Sequence, residues 1–253
     1  MVLNVFKLRR TGGRTQDLAD LPAQASSASE SRGTARKRIL DTAIRMFRRG
    51  GFDETTMREI ASEAGVALGL AYYYFPSKEA LVMAYYERVQ SLHSVVAREN
   101  LVQPRTLKDR LGMLFQTKLD ILADDRKLLG ALFRYAGNPE HPLSFLGHAT
   151  APLRADCMDL FAEALVPERL PEDLRELAPL LLWALQMGVL LYFLYDSSPN
   201  FKYTRKLVDG SVKMGVGLLV LARLPLLRPA RRNLLGLLQE AGLMPQKEME
   251  VRI

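Results

Sequence analysis

Two adjoining runs hold the residues whose types and spacing are best suited to chemistry. Ala64-Gly65-Val66 forms a tight turn between two short segments of helical pattern, and Ala71-Tyr72-Tyr73-Tyr74-Phe75-Pro76-Ser77-Lys78 follows it. On a helical period, Ala71 and Phe75 fall on one side of the helix expected over 67–75, with Val66 below them. Leu68, Gly69, Tyr72 and Tyr73 share the opposite side. An exposed face with two tyrosines and a glycine makes sense where something packs on it. Glycine lets a backbone approach closely, tyrosine rings meet thymine methyls and sugars, and their hydroxyls bond phosphates or base edges. Tyr74 and Lys78 flank this face, and Lys78 lies in the first turn of the next helix, whose free amides attract a phosphate. Thr56, at the start of the helix before the turn, is placed for another phosphate. The chemistry these residues suit is reading of duplex DNA by a helix-turn-helix. The competing reading is an aromatic core cluster. It suits Phe75 and in part Tyr72, but not all four rings, because adjacent helix residues cannot share one face.

The surrounding elements are readable from periodicity. A first helix is expected over 34–49, where Ile39, Leu40, Ala43, Ile44 and Phe47 make one apolar face. Gly50-Gly51 stops it, and Phe52 packs back on it. Thr56 followed by Glu59 is a capping box that starts the second helix, with Met57, Ile60, Ala61 and Ala64 inward. Pro76-Ser77 ends the third, and Ser77 caps a fourth that runs toward Asn100. Beyond Pro104, helices are expected over 105–122, 125–136, 144–165, 171–196, 200–224 and 230–241. No segment of strand period and no internal repeat interrupts them, so the fold class is all-α.

Composition narrows the function classes. The chain has 253 residues and a net charge of +7, enough for a small domain beside a larger one and favourable to polyanionic partners. The single cysteine, Cys157, allows no intrachain disulfide and suits a reducing cytoplasm. Lys7, Arg9, Arg10 and Arg14 break up the N-terminus, which has no secretory apolar core. Residues 1–33 are expected to form a disordered arm, its Asp17, Asp20 and Glu30 arguing against a purely basic phosphate-binding role. Residues 177–195 are nearly all apolar. They could span a bilayer, but a core or interface helix has the same pattern, and no membrane association is expected. His93, His141 and His148 have no metal-ligand spacing, and neither a phosphate loop nor a nucleophile motif is present. No catalytic residue, metal or cofactor is therefore expected, and the chain does not read as an enzyme.

The segment from Arg38 to Leu81 resembles the DNA-binding domain of the TetR family of bacterial transcriptional regulators. The resemblance rests on Ile39-Leu40, Ala43, Phe47, Gly51-Phe52, Thr55-Thr56 and Ile60-Ala61. It continues through Ala64-Gly65-Val66, Tyr72-Tyr73-Tyr74-Phe75 and Lys78-Glu79-Ala80-Leu81. It implies a three-helix helix-turn-helix domain over 34–86, a larger helical ligand-binding and dimerisation domain over 87–225, and a tail over 226–253. It further implies a homodimer on a palindromic operator, with repression relieved by a small effector. The third helix departs from the family pattern, with Ala67 where a hydroxyl residue usually opens it, Leu68 where a polar residue is common, and Leu70 where a small hydroxyl often stands. These departures leave open a second reading, a sensor or carrier whose helix-turn-helix has lost its specific operator.

For the dimer surface the candidates are 177–195 and 200–224, rich in leucine, with Gly210, Gly215 and Gly217 permitting close approach. For the effector, Phe115, Phe133, Leu146, Phe161, Trp183 and Met187 would suit an apolar or amphipathic ligand, with Lys118 and His148 as polar anchors. Ordinary core packing is the competing role for each apolar residue.

Overall fold

A computed structural model describes residues 21–244 apart from 104, 136 and 139, with side chains from 33 onward. The described residues form α1 (Leu21–Gly50), α2 (Met57–Glu63), α3 (Leu68–Tyr74), α4 (Lys78–Leu101), α5 (Leu107–Leu122), α6 (Arg126–Phe133), α7 (Ala151–Leu165), α8 (Glu172–Tyr195), α9 (Lys202–Ala222) and α10 (Arg228–Glu240). Among them there is no strand, and the all-α expectation holds.

The first three helices pack around Ile39, Ala43, Ile44, Phe47, Ile60 and Ala71, all at most 2% exposed. Two glycines set the corners. Gly51 (φ 92°) turns the chain out of α1, and Gly65 (φ 63°) turns it between α2 and α3, a backbone conformation that costs a side-chain-bearing residue about 1 kcal/mol or more. Phe52 then folds back edge-on against Phe47, with ring centroids 5.3 Å apart. The predicted capping box is formed: Thr56 Oγ1 accepts from Glu59 N at 3.2 Å, and Glu59 Oε2 accepts from Thr56 N at 2.8 Å. Backbone donation to Glu59 holds its carboxyl below the usual range.

Three boundaries differ from the sequence expectations. The arm expected over 1–33 lies outside the described residues up to 20, but α1 begins at Leu21 rather than at 34. The run Ala-Gln-Ala-Ser-Ser-Ala after Pro22 holds no helix breaker before Gly33, so the backbone continues as helix. The helix expected over 144–165 begins only at Ala151. Ahead of it the chain makes successive turns, pinned by Thr150 Oγ1 donating to Ser144 O (2.5 Å) and Gly147 O (3.2 Å). Helix α6 ends at Phe133 instead of running to 136.

The larger domain packs α7 along α8, with α4 and α5 across them and α9 beside α5. Helix α8 is long and apolar enough to cross a membrane, yet 56% of its most apolar window is buried within the fold, as for a core helix with one face left over. Asp196 ties the α8–α9 corner, accepting from Ser198 N (2.9 Å), Thr204 N (2.8 Å) and Thr204 Oγ1 (2.7 Å).

Candidate DNA-reading face and effector cavity

Helix α3 presents Gly69, Leu70, Tyr72 and Tyr73 to solvent and buries Ala71. Phe75, at its C-cap, is buried with it. Tyr73 is 75% exposed and Tyr72 48%, and the Tyr73 and Tyr74 rings meet in a T-shaped pair, 5.2 Å between centroids. The face differs from the expected one at two positions: Leu68 is half-buried and leans on the core, and Leu70 is exposed in its place; the flanking Tyr74 is half-buried as well. The helix is only seven residues long, so small rotations of the wheel decide its flanking positions. Lys78 does not lie free beside this face. Its ammonium donates to Phe52 O (2.8 Å) and Asp53 O (3.1 Å) and sits 4.7 Å from the Phe52 ring centroid. It therefore fixes the α1–α2 corner, with one of its three donors left over. Thr56 is exposed at the start of α2, its hydroxyl donating to Glu59 Oε2 at 2.9 Å. Ala67 caps α3 with no side-chain hydrogen bond, as its missing hydroxyl requires.

In the larger domain, a cavity of about 840 Å³, open mouth included, lies between α4, α5, α6, α7 and α8. Its walls are mainly apolar: Leu129, Leu132, Phe133, Phe145, Trp183, Met187 and Leu190, with Tyr85 and Tyr86 from α4. Of the residues expected to line a pocket, Lys118, Phe133, Trp183 and Met187 do so. Phe115 and Phe161 do not; each is 1% exposed, and they pack on one another 5.4 Å apart as core. Leu146 and His148 do not either, because the turns before α7 leave both at the surface.

The polar groups of the cavity include two basic side chains, Lys118 and Arg154, beside amides, hydroxyls and a thiol. Lys118 Nζ donates to Gln90 Oε1 at 2.9 Å, and burial holds its pKa below the ordinary lysine value. Cys157 Sγ donates to Gln186 Oε1 at 2.9 Å, and burial pushes the thiol up, so it stays protonated. Gln186 Nε2 is buried without an acceptor. Arg154 Nη1 donates to Phe145 O at 2.7 Å, with its guanidinium 5.8 Å from the Trp183 ring centroid. No aspartate or glutamate is among the described residues lining the cavity. Sequence reasoning missed Gln90 and Arg154. Gln186 was visible as the one polar side chain inside the apolar run 177–195.

Cavity and DNA-reading domain meet at two joints that periodicity could not locate. Tyr85 donates through its hydroxyl to Asp125 Oδ2 at 2.7 Å, and Arg48 Nε of α1 donates to Asp125 Oδ1 at 2.5 Å. At the other joint, Asp53 accepts from Tyr135 Oη at 2.7 Å and from Arg134 Nη2. The Tyr135 bond is the main reason its carboxyl sits below the usual range. Tyr135 also packs on Phe52 and stacks on His141, 6.0 Å and 4.2 Å between centroids. Among the described residues no cluster of three metal-ligating side chains occurs.

Helices α8 and α9 leave an apolar band uncovered: Leu181, Leu191, Tyr192 and Tyr195 on α8, and Tyr203, Leu207, Met214, Leu218 and Leu221 on α9. The α9 residues recur at helical spacing on one face, with exposed Gly210 and Gly217 between them.

Comparison with known proteins agrees with this architecture at both ends of the chain. Residues 39–85 match the family model for bacterial regulatory proteins of the tetR family, and residues 110–230 match that for a tetracyclin repressor-like C-terminal domain. The uncharacterized HTH-type transcriptional regulator YxaF of Bacillus subtilis is 30% identical over 154 residues, 56% of this chain and 73% of that protein. The fatty acid metabolism regulator protein of Bacillus subtilis is 27% identical over 90 residues, 36% of this chain and 46% of that protein. Matches to several other curated regulators likewise take in under half of each relative's length. Among solved structures, Thermus thermophilus FadR, a TetR-family transcriptional repressor in complex with lauroyl-CoA, aligns with a TM-score of 0.51 at 26% identity, covering 73% of this chain and 93% of that one. A helix-turn-helix on a helical C-terminal domain, matched by both family models and by a relative along most of its length, identifies the chain as a member of the TetR family of bacterial regulatory proteins.

Proposed function

We propose that this protein is a transcriptional repressor that binds a palindromic operator as a homodimer and is released by a small effector with a largely apolar body. The observation that carries the reading is the pairing of an exposed Gly69-Leu70-Tyr72-Tyr73 face with a mainly apolar, open-mouthed cavity in one chain. One reading helix covers a half-site, and two helices about one DNA turn apart read a palindrome. The uncovered band on α8 and α9 supplies a surface for the second copy, since a contiguous apolar face of this kind is rarely left in water. The lauroyl-CoA complex of the Thermus thermophilus relative makes acyl compounds the first effectors to test.

The effector acts by favouring one of two arrangements of the domains. A ligand pressing on Tyr85 and on the α6 residues Leu129, Leu132 and Phe133 would shift the two joints that hold α1 and the α1–α2 corner. The distance between the two reading helices of the dimer would then change.

The test is selection of bound sequences from random duplex DNA by the purified protein at physiological salt. An enriched palindrome is the expected result. Weak, sequence-independent and strongly salt-dependent binding by folded, dimeric protein would instead support a sensor with a degenerate helix-turn-helix, the reading that the uncapped start of α3 favours.

A further inference from the structure

Lys118 is a buried lysine, and among the described residues lining its cavity there is no carboxylate. Its ammonium has three donors, of which Gln90 Oε1 takes one. Gln186 lines the same cavity; its Nε2 is buried with no acceptor, and its oxygen is already committed to the Cys157 thiol. Arg154 adds a second cation to the lining. A buried cation and a buried orphan donor are each costly, and both costs fall when one acceptor group reaches them together. The apolar walls specify the body of such a ligand. The donors specify its head, an oxygen acceptor that carries negative charge.

We infer that the cavity takes an apolar carboxylic acid as the free acid, with its carboxylate seated against Lys118 and Gln186 and its hydrocarbon body along Leu129, Trp183 and Leu190. This deepens the effector reading above and rests on it. A neutral thioester or ester carbonyl would satisfy one donor but leave the cation uncompensated, so free acids bind better than their esters or coenzyme A thioesters. Residues 177–195 gain a purpose for their polar interruption: Gln186 turns inward from α8 to meet the ligand, while Lys118 reaches it from α5.

Calorimetric titration of the full chain tests this with straight-chain acids from hexanoate to octadecanoate and ring-bearing acids such as phenylbutyrate and lithocholate. Each acid is compared with its methyl ester and its coenzyme A thioester. The expected result is a preference of about tenfold or more for the best acid over its ester, the worth of a charge-assisted hydrogen bond in a buried site. Lys118→Met, close in volume, should bind acid and ester alike, and Gln186→Leu should lose part of the preference while keeping Lys118. Circular dichroism checks that both variants fold, and Gln186→Leu carries the test if Lys118→Met does not. Equal binding of acid and ester by the wild-type chain, a preference that survives Lys118→Met, or no binding by any acid overturns the inference. Esters or thioesters that bind and release operator DNA would leave the effector reading intact while removing the carboxylate. An acid that binds through Lys118 without releasing DNA would do the reverse.

Discussion

Replacing Tyr73 by alanine separates DNA reading from folding more cleanly than any other change on α3. The ring is three-quarters exposed and pairs edge-to-face with Tyr74, so its loss should alter unfolding free energy by no more than about 0.5 kcal/mol. On DNA the same exposed area becomes contact. An aromatic side chain buries roughly 150–250 Å², so three-quarters of it is about 150 Å², worth at most about 4 kcal/mol at 25 cal/mol per Å². Ordering and desolvation costs reduce this to about 2 kcal/mol per half-site, within the usual range for a good base contact. A dimer places two such rings, so the operator Kd should rise by about a thousandfold. Fluorescence anisotropy on the selected palindrome and on a scrambled duplex measures both affinities. Binding to the scrambled duplex, and the slope of log K against log salt, should stay unchanged, because tyrosine neutralises no phosphate. Tyr73→Phe should recover most of the lost affinity if the ring supplies the contact. Operator binding by Tyr73→Ala within a few-fold of wild type, from protein that remains dimeric, would refute the assignment of this face.

Three further outcomes follow from the same structure. Tyr85→Phe removes the hydroxyl that joins the cavity wall to Asp125; apo operator affinity should change little, while the ratio of affinities with and without effector should fall several-fold, and an unchanged ratio would exclude this joint as a coupling element. Leu218→Glu puts a charge into the uncovered α9 band, and sedimentation should report monomer with a helical spectrum like that of wild type; a persistent dimer would move the interface elsewhere. Burial, helped by nearby Lys118, lowers the His93 pKa to about 3 from its ordinary 6.5, against the pull of the hydrogen bond to Leu114 O. The unfolded chain therefore takes up a proton across that window before the native one does. Stability should fall as pH drops from about 6.5 toward 3, by up to roughly 1.4 kcal/mol per pH unit, and His93→Gln should flatten the profile.

What the sequence revealed, and what it hid, has a physical pattern. The first domain was legible because its signals are local: Gly51 and Gly65 sit where the backbone needs positive φ, and Thr56 meets Glu59 three residues on. The pocket was half legible because periodicity marks an apolar face without saying whether that face meets another side chain or a void. Phe115 and Phe133 look alike in sequence; the first packs on Phe161 and the second fronts the cavity. His148 was misplaced because Thr150 and Pro152 start α7 late, leaving turns where apolar spacing had suggested helix. The anchoring of Lys78 was not legible because the carbonyls that hold it come from Phe52 and Asp53, far away in sequence.

The joints between the domains were invisible for the same reason, and they hold both ends of α6. Asp125 precedes its first residue and Arg134 and Tyr135 follow its last, so both ends of this eight-residue helix are tied to the first domain, one through Arg48 and the other through Asp53. Between those ties Leu129, Leu132 and Phe133 form cavity wall. A rigid helix fixed in this way cannot shift at its middle without moving both ends. Filling the cavity would thus act on α1 and on the α1–α2 corner together and turn the first domain as a unit, α3 included. A longer helix bound at one end could absorb the same displacement by bending. Asp125→Asn loosens one tie and Asp53→Asn the other. If α6 transmits as a unit, each alone should weaken effector-driven release of DNA, and the double variant should weaken it by less than the sum of the two free-energy changes. Strict additivity in that cycle would mean the two joints respond independently and that α6 is not the lever.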